Sequence, residues 1–340
     1  MTCQIEITTR DGMQFGFGCE ADRDLLSAAA EADYTLPSQC RNGSCGSCHA
    51  TVAEGDYDLR EHSANALPRG EPDAILLCRT VPRSDLRIVV PYDSSKVLRE
   101  PVPVRTGRIV SLECVATDTM HLALLIDPDD TYGSAVQFEA GQFAELEIPG
   151  SDVRRPYSIA NTSNWDGRLE FAIRLQPQGR FSTWLRESAE IGDALTVRGP
   201  QGGFGLIGGS LRPRWFVAGG TGLAPIIAIL RRMAEYQEMD EARLFFGVTF
   251  ESELFMLDEL AQLQASMPQL QVTLCVWRAE ENWGGFSGTP ADALKLALAE
   301  ASACPDIYVC GPPALVNAAR DAAVAEHVPA GQFVSERFVS

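Results

Sequence analysis

Residues 4–9, QIEITT, alternate apolar and polar side chains, and a second run with Phe15 and Phe17 follows the turn RDG. That period of two predicts an opening β-hairpin. Over 22–32, DRDLLSAAAEA, the positions Leu25, Leu26, Ala29 and Ala32 recur at helical spacing behind an acidic start, which predicts a helix. ILLCRTVPRSDLRIVVPY (75–92) reads as two short strands broken by a turn. LREPVPV (98–104), with two prolines in extended context, reads as a linker. From Thr106 to about Leu206 come the apolar runs GRIVSLECV, MHLALLI, GQFAELEIP, RPYSIAN, LEFAIRL and ALTVRGP, punctuated by Gly, Pro and Asp every 8 to 15 residues. That rhythm predicts an antiparallel β-barrel, with FSTWLRESA as one short helix inside it. From Pro213 the rhythm changes. The strand-like RWFVAGG, ARLFFGVT, LQVTLCVW and DIYVCGP alternate with the helical LAPIIAILRRMAEY, FMLDELAQLQASM, TPADALKLALAEA and PALVNAARDAAVAEH. Strands alternating with helices predict a parallel, doubly wound sheet. The expected chain is multidomain: a small α+β domain over 1–97, the linker 98–104, an antiparallel β-barrel over 105–208 and an α/β doubly wound domain over 209–340.

Charge and composition narrow the function. The chain has 340 residues, 45% of them apolar, and a net charge of −18. Binding phosphate backbones or an anionic membrane needs clustered basic residues, so neither nucleic acid nor a membrane is an expected partner. The opening MTCQIEITTRDG lacks the basic-then-apolar pattern of a secretory signal, and WFVAGGTGLAPIIAIL (215–230) is too short and too Gly-broken to span a bilayer. The expected compartment is the reducing cytoplasm. There, closely spaced cysteines read as metal ligands or catalytic groups before disulfides.

Ten cysteines are present, and CRNGSCGSC (40–48) holds three of them. The full pattern is Cys40-x4-Cys45-x2-Cys48, then 29 residues, then Cys78. This is the spacing of a plant-type [2Fe–2S] centre, in which one tight loop brings three thiolates to a compact core and the fold brings the fourth. Gly43, Ser44, Gly46 and Ser47 are small enough for backbone N–H groups to approach the sulfurs. A structural zinc site is the competing reading, but zinc takes paired C-x2-C knuckles and Cys78 has no close companion. A Rieske centre needs two histidine ligands, for which only His49 and His62 are at hand. Of the scattered Cys3, Cys19, Cys114, Cys275, Cys304 and Cys310, most read as small core residues.

Three motifs remain. RRPYSIAN (154–161) puts an aromatic beside a serine on one strand, fit to stack a flavin ring and bond its edge, and Gly179 to Ser182 open a helix whose N-terminus can take a pyrophosphate. VAGGTGLAP (217–225) stands between strand and helix, where a dinucleotide phosphate rests. CGPP (310–313) ends a later strand at the carboxyl edge of the sheet, where ligands bind. Alone, each also reads as an ordinary turn.

In their order along the chain, the four cysteines, RPYS, GRFS, GGTG, CGPP and the terminal ERF resemble the reductase components of bacterial multicomponent oxygenases, a plant-type ferredoxin fused to a ferredoxin–NADP⁺-reductase-like unit. LLCRTVPRSDL, FVAGGTGLAP, DIYVCGPP and SERFVS are most like the reductases of the soluble methane monooxygenase type. The resemblance implies a β-grasp-like ferredoxin domain, an FAD barrel and an NAD domain. It implies cluster ligation by Cys40, Cys45, Cys48 and Cys78. Arg155 would bind flavin phosphate, Tyr157 would stack on the isoalloxazine and Ser158 would bond near its N5; Ile173, Arg174, Gly179 and Ser182 would line the rest of the FAD site. Gly219, Gly220, Thr221 and Gly222 would receive the NADH pyrophosphate, with Gly311 and Pro312 of CGPP beside them. Cys310 would lie by the nicotinamide C4, Glu336 would be the acid near the flavin and Phe338 the aromatic that shields the ring, where the family often has Tyr.

The implied activity is transfer of electrons from NADH to FAD, to the [2Fe–2S] cluster, and on to the hydroxylase of a di-iron hydrocarbon monooxygenase. The exposed rim from Asn42 to Ser47 is the expected docking surface for that partner, and mobility between modules is expected so that the cluster can reach both. Two alternatives stand: a Rieske ring-hydroxylating dioxygenase of the benzoate type as the partner, or a non-catalytic electron carrier. The isolated chain is expected to be a monomer. NADH is expected over NADPH because Thr249, Phe250 and Glu251, after the strand LFFGV, have no Arg or Lys close by in sequence, and Glu251 can bond ribose hydroxyls.

Overall fold

A computed structural model describes residues 2–68 and 71–338. The chain divides into two compact units, one running to Val102 and one comprising 103–200 and 204–338.

In the first unit, β1 (Thr2–Thr8) and β2 (Gln14–Glu20) form the expected hairpin, with Ile5 opposite Phe17 and Ile7 opposite Phe15. α1 (Leu25–Glu31) starts at Asp24, whose carboxylate accepts from the Ser27 backbone N–H at 2.9 Å and so caps the helix. β3 (His49–Glu54), β4 (Tyr57–Leu59), β5 (Ala74–Leu76), β6 (Thr80–Pro82) and β7 (Leu86–Val89) complete the unit. The main sheet runs β2-β1-β7-β3-β5, with β1 and β7 parallel at its centre, and β4 pairs with β6 as a ribbon. Ile5, Ile7, Leu25, Leu26, Ile75, Leu76, Leu77 and Ile88 close one core between sheet and helix. Three strands stand where the pattern predicted two over 75–92, and β3 and β4 have no counterpart in the sequence-based expectation. The expected linker is also shorter: Leu98 exchanges backbone hydrogen bonds with Thr35 at 2.8 and 3.1 Å, and Val104 begins the next strand.

The second unit opens with a six-stranded antiparallel sheet of β8 (Val104–Ala116), β9 (Thr119–Ile126), β10 (Phe143–Glu147), β11 (Arg154–Ser158), β12 (Arg168–Arg174) and, after α2 (Arg180–Glu187), β13 (Ala194–Gln201). The order is β11-β10-β13-β8-β9-β12. The two outer strands meet where Ile159 bridges Phe171 and the Ala160 N–H donates to Glu170 O at 2.8 Å, which closes the barrel. Two bulges in β8 bend its long strand around the turn of the barrel.

The α/β part follows as β14 (Arg214–Gly219), α3 (Leu223–Glu235), β15 (Ala242–Val248), α4 (Leu257–Ser266), β16 (Leu270–Val276), β17 (Phe286–Ser287), α5 (Pro290–Ala299), β18 (Asp306–Gly311), α6 (Pro313–Ala325) and β19 (Phe333–Arg337). The strand order is β17-β16-β15-β14-β18-β19, and every pairing is parallel. The chain walks outward from β14 to β17 and then returns to the other side at β18. The crevice between the carboxyl ends of β14 and β18 is therefore the topological switch point of the sheet.

Barrel and sheet, expected as separate domains, share a core in this one unit. Ala140, Ala160, Ala172 and Phe204 pack with Phe216, Ile226, Ile227 and Leu230. A polar tie reinforces it. Arg231 of α3 donates to Glu170 Oε2 of β12 at 2.9 Å and to Ala160 O at 3.1 Å, and also pairs with Glu259. Glu170 is held below the usual carboxylate range, first by its hydrogen bond with His121 and then by Arg168 and Arg231.

Candidate functional site

The cysteine loop lies between α1 and β3, and the fourth thiol stands just after β5. Cys45, Cys48 and Cys78 are buried and Cys40 is half-buried. The thiols are paired two and two. The Cys48 thiol donates to Cys78 Sγ at 3.3 Å. Cys45 donates to Cys40, which pushes the Cys40 thiol down to about 4. Among the described residues, no three His, Cys, Asp or Glu side chains converge as ligands of one ion. Two pairs of thiols instead match a binuclear core with two protein sulfurs on each iron.

Backbone N–H groups address the sulfurs. Ser44 N and Cys45 N lie 3.4 and 3.3 Å from Cys40 Sγ, and Ser47 N lies 3.4 Å from Cys45 Sγ. The loop can curl this way because Gly43 adopts φ +82°, where a Cβ would also fall 2.9 Å from Arg79 Cγ. Ser47 Oγ is buried without a partner, a hydroxyl that an added sulfur acceptor would satisfy. The residues present fit a [2Fe–2S] cluster. The expected docking rim needs correction: Arg41 and Asn42 are exposed, but Gly43, Cys45 and Gly46 are buried. The turn that aims N–H groups at sulfur also turns the small residues inward.

The second site lies in the second unit. Cys310 and Glu336 are register partners on the adjacent parallel strands β18 and β19, so both reach the carboxyl edge of the sheet. Ser158, at the end of β11, comes from the barrel. Its hydroxyl donates to Glu336 Oε2 at 3.3 Å, and Cys310 Sγ lies 3.9 Å from the same oxygen. Glu336 is buried, which pushes its carboxyl up to about 7 against the lowering effect of the two hydrogen bonds. Burial likewise drives the Cys310 thiol well above its ordinary value. Phe338 follows; its N–H donates to Gly311 O at 2.9 Å and its ring packs on the shared core.

The glycine turn meets this crevice from β14. Gly220 has φ +53° and nothing within 4 Å of where a Cβ would be, so its Cα face is open. Gly222 differs: a Cβ there would lie 2.1 Å from Cys310 O. A Cβ on Gly219 would lie 2.6 Å from Leu315 Cδ2. The sequence assigned all four residues of GGTG to a pyrophosphate. In the fold, Gly222 lets the turn after β14 approach the end of β18, Gly219 leaves room for Pro312 and Leu315 at the start of α6, and Gly220 presents the bare turn beside the buried Thr221. Gly311 is buried, and Pro312 is exposed at the start of α6.

On the barrel, Tyr157 lies 5.1 Å from Phe181 of α2, ring centre to ring centre, which brings the N-terminus of α2 beside β11. Arg155 is exposed and, among the described residues, donates only to the carbonyl of Arg154. Its guanidinium, the Gly179 end of α2 and the Tyr157 ring make an open, cationic, aromatic corner that fits a flavin and its phosphates. Two expected residues are engaged elsewhere by their side chains. Ile173 is fully buried in the barrel core, and Arg174 pairs with Asp118 at 2.8 Å. The period-two alternation of β12 dictates this, since one residue points in and the next points out. Ser182 Oγ accepts from the Gln176 N–H at 3.0 Å and so orders the turn before α2.

Sequence spacing missed one group. The parallel ladder of β15 and β16 continues past both strand ends: Trp277 N donates to Val248 O at 3.1 Å and Arg278 N donates to Thr249 O at 2.9 Å. Arg278 is thereby carried next to Phe250, with its guanidinium carbon 5.8 Å from that ring centre. The segment Thr249 to Glu251 therefore has a cation beside it after all.

Three family models match: the 2Fe-2S iron-sulfur cluster binding domain over 8–83, the oxidoreductase FAD-binding domain over 106–205 and the oxidoreductase NAD-binding domain over 216–321. The chain is 38% identical to methane monooxygenase component C of Methylosinus trichosporium, over 87% of this chain and 86% of that one. It is 30% identical to the anthranilate 1,2-dioxygenase electron transfer component of Acinetobacter baylyi, over 100% and 98%. A crystal structure of a cytochrome P450 reductase from Amycolatopsis superposes with a TM-score of 0.72 at 26% identity, covering 99% of each chain. With a cluster domain, a flavin barrel and a dinucleotide sheet in one polypeptide, and relatives of this identity along nearly its whole length, the chain belongs to the iron–sulfur flavoprotein reductase components of bacterial multicomponent oxygenases.

Proposed function

We propose that this reductase draws electrons from NADH and delivers them singly to the hydroxylase component of a di-iron hydrocarbon monooxygenase. The observation that carries the redox reading is the meeting of Ser158, Cys310 and Glu336 at the switch point, beside the bare turn at Gly220. The choice of partner rests on the higher identity to the methane monooxygenase component, 38% against 30% for the dioxygenase component. When bound, the dinucleotide supplies a hydride, FAD couples that two-electron donor to one-electron steps, and the cluster carries single electrons.

The residues do the following in this reading. Cys40, Cys45, Cys48 and Cys78 would hold the cluster, and the N–H groups of Ser44, Cys45 and Ser47, aimed at the sulfurs, would ease the added charge of its reduced form. Arg155 and the Gly179 end of α2 take the flavin phosphates, and Tyr157 stacks on the ring. Ser158 positions the ring edge while its hydroxyl is fixed by Glu336. Glu336, whose carboxyl burial pushes up to about 7, presents Oε2 within reach of both Ser158 and Cys310 and is the group placed to take up or release a proton there. Phe338 covers the ring face from which water must be kept. The turn at Gly220 and Thr221 receives the dinucleotide phosphates, with Gly311 and Pro312 shaping the opposite wall. Glu251 bonds the adenosine ribose.

The isolated chain is read as a cytoplasmic monomer; among the described residues, no helix is long and apolar enough to cross a membrane. The test is direct. NADH should bleach the flavin absorbance of the purified protein anaerobically, and the reduced protein should support turnover of a purified di-iron hydroxylase. Flavin that stays oxidised with NADH would reduce the chain to a carrier. Turnover only with the terminal component of a Rieske dioxygenase would reassign the partner.

A further inference from the structure

Glu251 begins the segment after β15 and Arg278 lies beside it after β16, both at the carboxyl edge of the sheet where the adenosine half of a dinucleotide would extend. The neighbouring acid Glu253 is committed elsewhere: its carboxylate accepts from Thr249 N at 2.9 Å and Phe250 N at 3.4 Å. Glu251 is half-buried and, among the described residues, accepts only from the Glu280 N–H, at 3.3 Å. Arg278 makes no ion pair among the described residues. Its guanidinium lies 5.8 Å from the Phe250 ring centre and 5.2 Å from that of Trp277. Both rings are open to solvent, 45% and 59% exposed, although large aromatics are ordinarily covered.

An acid at this edge favours a free ribose 2′-hydroxyl, whereas a nearby Arg accommodates a 2′-phosphate. This chain has both. We infer that Glu251 and Arg278 form an opposed pair that sets dinucleotide choice: Arg278 is a latent 2′-phosphate site, and Glu251 alone keeps it unused. The preference for NADH thus comes from an acid that repels the phosphate and not from the lack of a cation. Phe250 and Trp277 hold the guanidinium by cation–π contact against the platform on which the adenosine would rest. The inference rests on the reading of the chain as an NADH-dependent reductase and names what decides the donor.

The experiment uses the FAD- and cluster-loaded protein, as wild type, Glu251→Gln, Arg278→Gln and the double variant. Binding of ADP and of 2′,5′-ADP is measured by calorimetry, and kcat/KM for NADH and NADPH with ferricyanide as the acceptor. Glu251→Gln should raise 2′,5′-ADP affinity and kcat/KM for NADPH by about tenfold or more, the scale of one charge-assisted contact. Adding Arg278→Gln should reverse both gains, and high salt should weaken 2′,5′-ADP binding to Glu251→Gln more than ADP binding. A Glu251→Gln protein still indifferent to 2′,5′-ADP, or a double variant equal to Glu251→Gln, overturns the inference. Wild-type flavin that NADH fails to bleach overturns the reductase reading itself, and the inference with it.

Discussion

The cysteine loop and the site around Glu336 both bury groups that must carry charge, and they are built by opposite means. Three of the four thiols come from nine consecutive residues, and local turns supply the N–H groups that satisfy them. Ser158 and Glu336 are 178 positions apart and meet only because the barrel and the sheet share one core. The loop thus tolerates charge through hydrogen bonds made within itself. The second site does so by burying an acid away from water, which pushes its carboxyl up to about 7. A local site should fail alone when broken, and an assembled site should report on the fold that assembles it.

The largest effect expected is therefore also the most confined. Cys45→Ala removes one of the two thiols of a pair and should abolish the visible and paramagnetic signatures of the cluster. Cytochrome c reduction should fall by roughly two orders of magnitude or more. NADH-driven ferricyanide reduction, which needs only the second unit, should stay within about twofold of wild type, since sites that share no partners behave additively. Loss of both activities would mean that the units depend on each other, and the contrast drawn above would not hold.

Glu336→Gln is expected to be next. It keeps the shape but removes the titrating group, and flavin reduction by NADH should slow by about 10²-fold, a usual magnitude for a positioned acid or base. The wild-type rate should change through a midpoint near pH 7, and the Gln variant should show a flat profile there. Stability carries the same signature. Between the ordinary carboxyl value of 4.5 and about 7 the folded protein holds a proton that the unfolded chain has released. The contribution is thus full below pH 4.5 and is lost as pH rises to about 7, amounting to roughly 3 kcal/mol. Denaturant midpoints of wild type and Glu336→Gln measured across that range should converge at acid pH and separate toward neutrality. Parallel curves would mean that Glu336 is ionised throughout.

The same contrast explains what could be read before the fold was known. The cluster ligands were legible because their geometry is local, and the alternation of β14, β15, β16 and β18 with helices was legible because the period of each element is local too, whereas the two-residue β17 left no such period. The Ser158–Glu336 contact was reachable only through the family resemblance, since no spacing rule joins strands β11 and β19. Arg278 escaped for a related reason: it lies 27 positions from Glu251 in sequence, and only the extension of the β15–β16 ladder sets it alongside. Ile173 and Arg174 could be named as neighbours of the flavin, but which side chain faces inward depends on the register of β12 with β9, which the sequence does not display. β3, β4 and β19 are short or carry few apolar residues and draw their stability from strands distant in sequence.

The glycine turn allows the finest comparison, because two of its glycines, two positions apart, serve different ends in the assembled site. Gly222→Ala places a methyl 2.1 Å from Cys310 O, against backbone that cannot move without parting β14 from β18. It should destabilise the second unit by about 3 kcal/mol. The melting temperature should drop, and NADH oxidation should weaken only as a consequence. Gly220→Ala meets open space, so its cost is the left-handed backbone alone, about 1 kcal/mol, with a correspondingly small thermal shift. If that open face is where the dinucleotide phosphates rest, however, the methyl occupies their place, and KM for NADH should rise severalfold while kcat with ferricyanide is nearly kept. The two variants should thus separate along different axes, stability for one and affinity for the other. If Gly220→Ala left KM unchanged, the bare turn would be only a way of ending β14, and the dinucleotide would have to be held by the wall at Gly311 and Pro312 instead.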